Sequence, residues 1–131
     1  MKEAIATDQA PQAIGPYSQA VRVGDWLFLS GQIGLDPASG ELTAGGVLAE
    51  TRQVLENLRA VLTAAGAALD DVVRTTIYLV DLADFSRVNE IYTGFFRAPY
   101  PARATVGVAA LPRGARVEID AVAMIASPSR G

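Results

Sequence analysis

Residues 47–80 read VLAETRQVLENLRAVLTAAGAALDDVVRTTIYLV, and this stretch contains a complete passage from helix to strand. Val54, Leu55, Leu58, Val61, Leu62 and Ala65 recur at steps of three and four. Glu50, Arg52, Gln53, Glu56, Asn57 and Arg59 fill the opposite side. That spacing gives a helix from Val47 to Ala65 with one apolar stripe. Gly66 follows as a residue suited to the left-handed conformation beyond a helix end. The run VVRTTIYLV, Val72 to Val80, is β-branched and aromatic. Apolar groups on both of its faces predict an interior strand.

Upstream, Gln19 to Val23 and Trp26 to Ser30 flank Gly24-Asp25 and predict a hairpin. Asp36-Pro37-Ala38-Ser39-Gly40 is a turn by composition, and Gly45-Gly46 leads into the helix. Downstream, a second helix is expected with Asp84 as its cap and Phe85, Val88, Tyr92, Phe95 and Phe96 on one stripe. Pro99-Tyr100-Pro101 ends it. Arg103 to Ala109 and Arg116 to Ile125 read as two final strands, with a short extra strand near Ala4 to Ala6 as a further candidate. The resulting ββ-α-β-α-ββ order belongs to the α+β class, with two helices on one face of a mixed sheet and the other face in need of a partner.

The length of 131 residues fits one domain spanning 1–131. The chain has no His and no Cys, and Lys2 is its one lysine. A thiol nucleophile, a Ser-His-Asp triad, a disulfide framework and a thiolate or imidazole metal site are thereby excluded. So are a Walker loop and an internal Schiff-base lysine. Proton handling falls to Asp, Glu, Tyr, a terminus or water.

The net charge of -3, from 14 acids and 11 bases, argues against a nucleic-acid partner. No apolar run reaches membrane-span length and the opening residues lack a signal-peptide pattern, so a cytoplasmic location is expected. With 50% apolar and 19% charged residues, a chain this small is expected to form an oligomer.

Three groups are candidates for chemistry. Ile14-Gly15-Pro16-Tyr17-Ser18 presents a tyrosine on a fixed turn, and reads equally as a loop with an aromatic plug. Leu29-Ser30-Gly31-Gln32 offers small polar residues at a strand end, or is an ordinary strand end. Arg103 heads an apolar strand, where its guanidinium makes a fork for a carboxylate, and Glu118 within the last strand could hold a water. The alternative is that these two form an ion pair or line the solvent edge. If the last two strands made a hairpin centred near Arg113, Arg103 would lie opposite about residue 123, roughly 16 Å along the strand from Glu118. Either the strands pair otherwise, or a common site is assembled between subunits.

The combination of Ile14-Gly15-Pro16-Tyr17, Ser30-Gly31-Gln32, Val88-Asn89 and the block from Pro101-Ala102-Arg103 through Leu111-Pro112-Arg113-Gly114-Ala115-Arg116-Val117-Glu118-Ile119 resembles the RidA (YjgF) family of enamine/imine deaminases. The resemblance covers nearly the whole chain. It implies a chorismate-mutase-like α+β fold and a homotrimer with clefts between subunits. It implies hydrolysis of 2-aminoacrylate and related 2-imino acids, released by pyridoxal phosphate enzymes, to 2-oxo acids and ammonia, with no metal or organic cofactor.

By position, Arg103 would bind the substrate carboxylate and Glu118 would orient or activate the water. Tyr17, Ser30, Gly31 and Asn89 would shape and close the pocket, with Thr105 beside them and Tyr17 a further candidate proton carrier. Ala104 and Thr105 depart from the Ser and Cys of many relatives, a change that bears on substrate preference rather than on the water attack. Two other readings stand beside this one: a non-catalytic small-carboxylate-binding or chaperone-like module, and an endoribonuclease or translation inhibitor. The acidic balance and the absence of His speak against the last.

Overall fold

The computed structural model describes residues 1–125. Its elements run β1 (Glu3–Ile5), β2 (Ala20–Val23), β3 (Trp26–Ile33), α1 (Gly46–Ala64), β4 (Val72–Leu79), α2 (Phe85–Phe95), β5 (Ala102–Gly107) and β6 (Val117–Met124). The expected elements all form, with ends displaced by at most three residues. The added strand lies at Glu3–Ile5, overlapping the Ala4 to Ala6 candidate. No helix among the described residues is long and apolar enough to cross a membrane.

Helix α1 closes as its sequence implies. Gly66 takes φ +79°, its N–H donates to the Thr63 carbonyl at 3.0 Å, and Ala67 N–H donates to the Leu62 carbonyl at 2.8 Å. Two carbonyls left over at the helix end are thus satisfied. The expected cap of α2 differs. Asp84 holds the cap position without a side-chain bond, while Asp81 accepts from Ala83 N–H at 2.9 Å and caps the preceding short turn.

The six strands lie in the order β1-β2-β3-β6-β4-β5. All neighbours are antiparallel except β4 and β5, which are parallel. The sheet corrects the hairpin considered for the last two strands: β4 lies between β5 and β6, and α2 provides the crossover that a parallel β4–β5 pair requires.

Alternation sorts the side chains onto two faces. Leu27, Leu29, Ile77, Leu79, Val117, Ile119, Ala121 and Ala123 are buried and join Val54, Leu55, Leu58, Val61 and Leu62 of α1 in one core. A fully buried Leu or Ile contributes about 1.5–3 kcal/mol. Among the described residues, no helix covers the other face. That face carries Trp26 at 42% exposure, Phe28 at 47%, and the exposed Val23, Val106 and Met124. This is the face for which the sequence pattern expects a partner.

Candidate active site

Arg103 is placed by β5. It pairs in register with Thr75, which is fully buried and exchanges a 2.8 Å hydrogen bond with the Tyr92 hydroxyl. Arg103 therefore lies on the helix-covered face. Its Nη1 donates to Asn89 Oδ1 at 2.8 Å, and its guanidinium carbon lies 4.9 Å from the centre of the Tyr92 ring and 5.3 Å from that of Phe85. Tyr100 and Pro101 close a cavity of about 440 Å³ around Arg103, Asn89 and Tyr92. Thr105 lies two residues along β5 on the same face, half-buried, in register with Ile77.

Glu118 is placed by β6, one residue out of phase with buried Val117 and Ile119. It pairs with Tyr78 on β4 and Ile33 on β3, which puts it on the open face. Between Leu29 and Gln32 the β3–β6 register shifts, and this bulge carries Ser30 and Gly31. A Cβ on Gly31 would meet Glu118 Oε2 at 2.1 Å, so glycine leaves the carboxylate its seat.

Ser30 Oγ donates to the Ser18 carbonyl at 2.6 Å, and Ser30 N–H donates to the Gln19 carbonyl at 2.9 Å. These bonds tie β3 to the loop that presents Tyr17, which is exposed. Gly15 at φ +116° makes that turn, and Tyr17 N–H donates to the Gly15 carbonyl. Tyr17, Ser30, Gly31 and Glu118 share a cavity of about 680 Å³ with Ile14, Ile33, Leu35 and Arg113.

Electrostatics set the two centres apart. Burial pushes the Glu118 carboxyl above its ordinary range, and the charge of Asp120 adds to the rise. Asp120 accepts a 2.9 Å bond from the Tyr78 hydroxyl, which raises the Tyr78 phenol. Burial also raises Tyr92, opposed by its bond with Thr75 and the charge of Arg103. Among the described residues, no group of three or more His, Cys, Asp or Glu is placed to hold a metal ion.

Two strand spacings and a three-residue offset separate Arg103 from Glu118, roughly 14 Å between backbones. They also lie on opposite faces. The candidate residues thus divide into Arg103, Asn89 and Thr105 on one side and Tyr17, Ser30, Gly31 and Glu118 on the other. The intrachain ion pair weighed from the sequence does not form. Phe85 and Tyr92 were legible only as an apolar helical stripe. Their spacing from Asn89 at i, i+4 and i+7 was the available sign that they share its face.

The family model for Endoribonuclease L-PSP matches residues 7–125. The chain belongs to this family, which includes RidA (YjgF). RidA-type relatives repeat both sequence and fold. Protein DfrA of Myxococcus xanthus is 59% identical over 125 residues, covering 94% of this chain and 95% of its own. The mouse 2-iminobutanoate/2-iminopropanoate deaminase is 54% identical over 124 residues, covering 95% and 92%. The crystal structure of RidA from the Antarctic bacterium Psychrobacter sp. PAMC 21119 superposes with a TM-score of 0.91 at 49% identity, covering 94% of this chain and 99% of that one.

Proposed function

We propose that this RidA-family chain hydrolyses reactive 2-imino acids to 2-oxo acids and ammonia, in clefts formed between neighbouring subunits of a homotrimer. The carrying observation is the division of the site. Arg103 and Glu118 hold the chemistry the reaction needs but face away from each other across β4, while the uncovered sheet face carries exposed Trp26 and Phe28. A second copy that brings its Arg103 to this copy's Glu118 completes the pair. The mouse relative named as an imine deaminase supports the same chemistry.

In this cleft Arg103 fixes the substrate carboxylate through two hydrogen bonds. An enamine such as 2-aminoacrylate first takes a proton at carbon and gives one up from nitrogen to become the imine. Glu118 orients a water at the imine carbon, and the C–O bond forms as the C=N electron pair moves to nitrogen and is protonated. Collapse of the carbinolamine breaks the C–N bond, releases ammonia and leaves the 2-oxo acid. Glu118, Tyr17 or a second water carries the proton. Positioning supplies much of the acceleration, because the imine is already reactive towards water. Ser30, Gly31, Asn89 and Thr105 shape the cleft. The reading places the protein in the cytoplasm, beside the pyridoxal phosphate enzymes that release such imines.

The family model's description favours a second reading, an endoribonuclease. Against it stand a net charge of -3 and the absence of histidine. One experiment separates the readings. Threonine dehydratase generates 2-iminobutanoate in situ, semicarbazide traps it, and its loss is followed with and without the protein. Acceleration by the wild type is expected. An unaltered rate, with RNA cleavage persisting through purification, would transfer the assignment to the second reading. Co-expressed Arg103→Ala and Glu118→Gln chains, each inactive alone, should recover about a quarter of wild-type activity in mixed oligomers, since random neighbours place two intact halves together that often.

A further inference from the structure

We infer that Phe85 and Tyr92 are positioning residues that clamp the Arg103 guanidinium so that its free edge receives a planar carboxylate. The inference rests on the reading of Arg103 as the carboxylate anchor and adds what makes that anchor rigid.

Arginine is long and rotamer-rich, and Arg103 stands at an exposed edge of β5, where nothing in the strand itself restrains the guanidinium. Helix α2 restrains it with three residues on one stripe. Phe85, Asn89 and Tyr92 sit at i, i+4 and i+7, so all three face β5 together. Tyr92 is the fixed member: the residue is 3% exposed, its ring lies against Phe96 with centroids 4.5 Å apart, and its hydroxyl is bonded to buried Thr75. The Arg103 guanidinium lies over this ring, with Phe85 as the outer aromatic neighbour. Asn89 accepts one Nη1 proton and so fixes one corner of the fork.

Each contact removes a different freedom. The rings hold the cation through their faces, which leaves its edge for ligand. Among the described residues no protein acceptor occupies the Nε–Nη2 edge, so two parallel donors remain for a carboxylate. A guanidinium held this way loses less freedom on binding than a free one, which tightens binding without adding a contact to the ligand.

The test is calorimetric titration of the assembled protein with 2-oxobutanoate, a planar carboxylate that resembles the product. Phe85 is partly exposed, so Phe85→Leu should fold, keeping apolar bulk but losing the π face. Phe85→Leu should weaken binding about fivefold, the scale of one exposed cation–π contact, and Phe85→Tyr should bind as the wild type does. Unchanged affinity in Phe85→Leu would overturn the clamp, as would equal weakening in Phe85→Leu and Phe85→Tyr, which would reduce Phe85 to packing. Wild-type protein that fails to bind 2-oxobutanoate overturns clamp and anchor together. Wild-type protein that binds it in this Phe85-dependent way, yet does not accelerate imine loss, supports the clamp and removes only the hydrolytic reading.

Discussion

Arg103 and Glu118 occupy strands on either side of β4, and the two faces of the sheet hold them by different means. On the covered face, a helix supplies an amide and two aromatic rings, and the arginine is fixed by contacts to side chains. On the open face, the carboxylate is fixed by shape: a bulge removes a side chain at Gly31, and the strand seats Glu118 in the space. A cation with five donors and a long stem needs partners to hold it still. A short carboxylate, if its work is to hold water as proposed, needs room and a partly dry setting. One sheet thus seats both groups and is still unable to bring them together.

The strongest challenge to this division is removal of the arginine. Arg103→Ala should abolish imine hydrolysis while leaving the oligomer intact by light scattering, because the side chain belongs to the exposed end of β5 and not to the core. Activity that survives would dissolve the role given to the covered face. On the open face, Gly31→Ala pushes a methyl group into Glu118 Oε2. The carboxylate can swing away, so the melting temperature should hardly move, while kcat falls by about a hundredfold through lost positioning. A protein that loses stability instead of turnover would show that Gly31 serves the backbone.

Tyr92→Phe probes the covered face from within. It leaves the Thr75 hydroxyl buried without its partner, at a cost of about 1–3 kcal/mol read by urea unfolding. A neutral result would mean that the Thr75–Tyr92 bond does not anchor the ring.

The smallest effect on stability concerns Glu118 and pH. Its raised pKa means that the folded chain holds this proton more tightly than the unfolded chain. The associated stability is complete below the ordinary carboxylate pKa and is lost as pH rises through the folded value. Glu118→Gln should therefore raise the melting temperature slightly at pH 7 and leave it unchanged near pH 3, while lowering kcat more than ligand affinity. In the wild type, kcat should fall on the acid side at a higher pH than for an ordinary glutamate. Asp120→Asn should move that fall downward, with Tyr78, Tyr17 and Arg113, the other ionisable groups around the carboxylate, left in place. A profile that does not respond to Asp120 would leave burial as the cause.

Much of this was legible in the residues because the signals were local. The three- and four-residue steps of α1, Gly66 at its end, Gly24-Asp25 in the hairpin and the alternation of β6 each specify an element without reference to the rest of the chain. Strand order is not local. Nothing in residues 102–124 announces that β4 will insert between β5 and β6, because pairing partners are chosen by the tertiary packing of α2. The site followed the same rule. Tyr17, Ser30, Gly31, Asn89, Arg103, Thr105 and Glu118 could be named through the family resemblance, whereas Phe85 and Tyr92 could not. An aromatic stripe on a helix looks the same whether it faces the core or a guanidinium.

Because β4 turns the arginine and the carboxylate outward on opposite sides, the shared-cleft reading makes the chain inert alone. Its specific activity would then depend on its own abundance, rising as copies find one another and vanishing on dilution with no effector involved. Inheritance would follow from the same geometry. A chain defective in both halves spoils the clefts it shares with each neighbour, so about two of every three sites in its trimer go silent. One faulty allele would then act well beyond its own share of the protein.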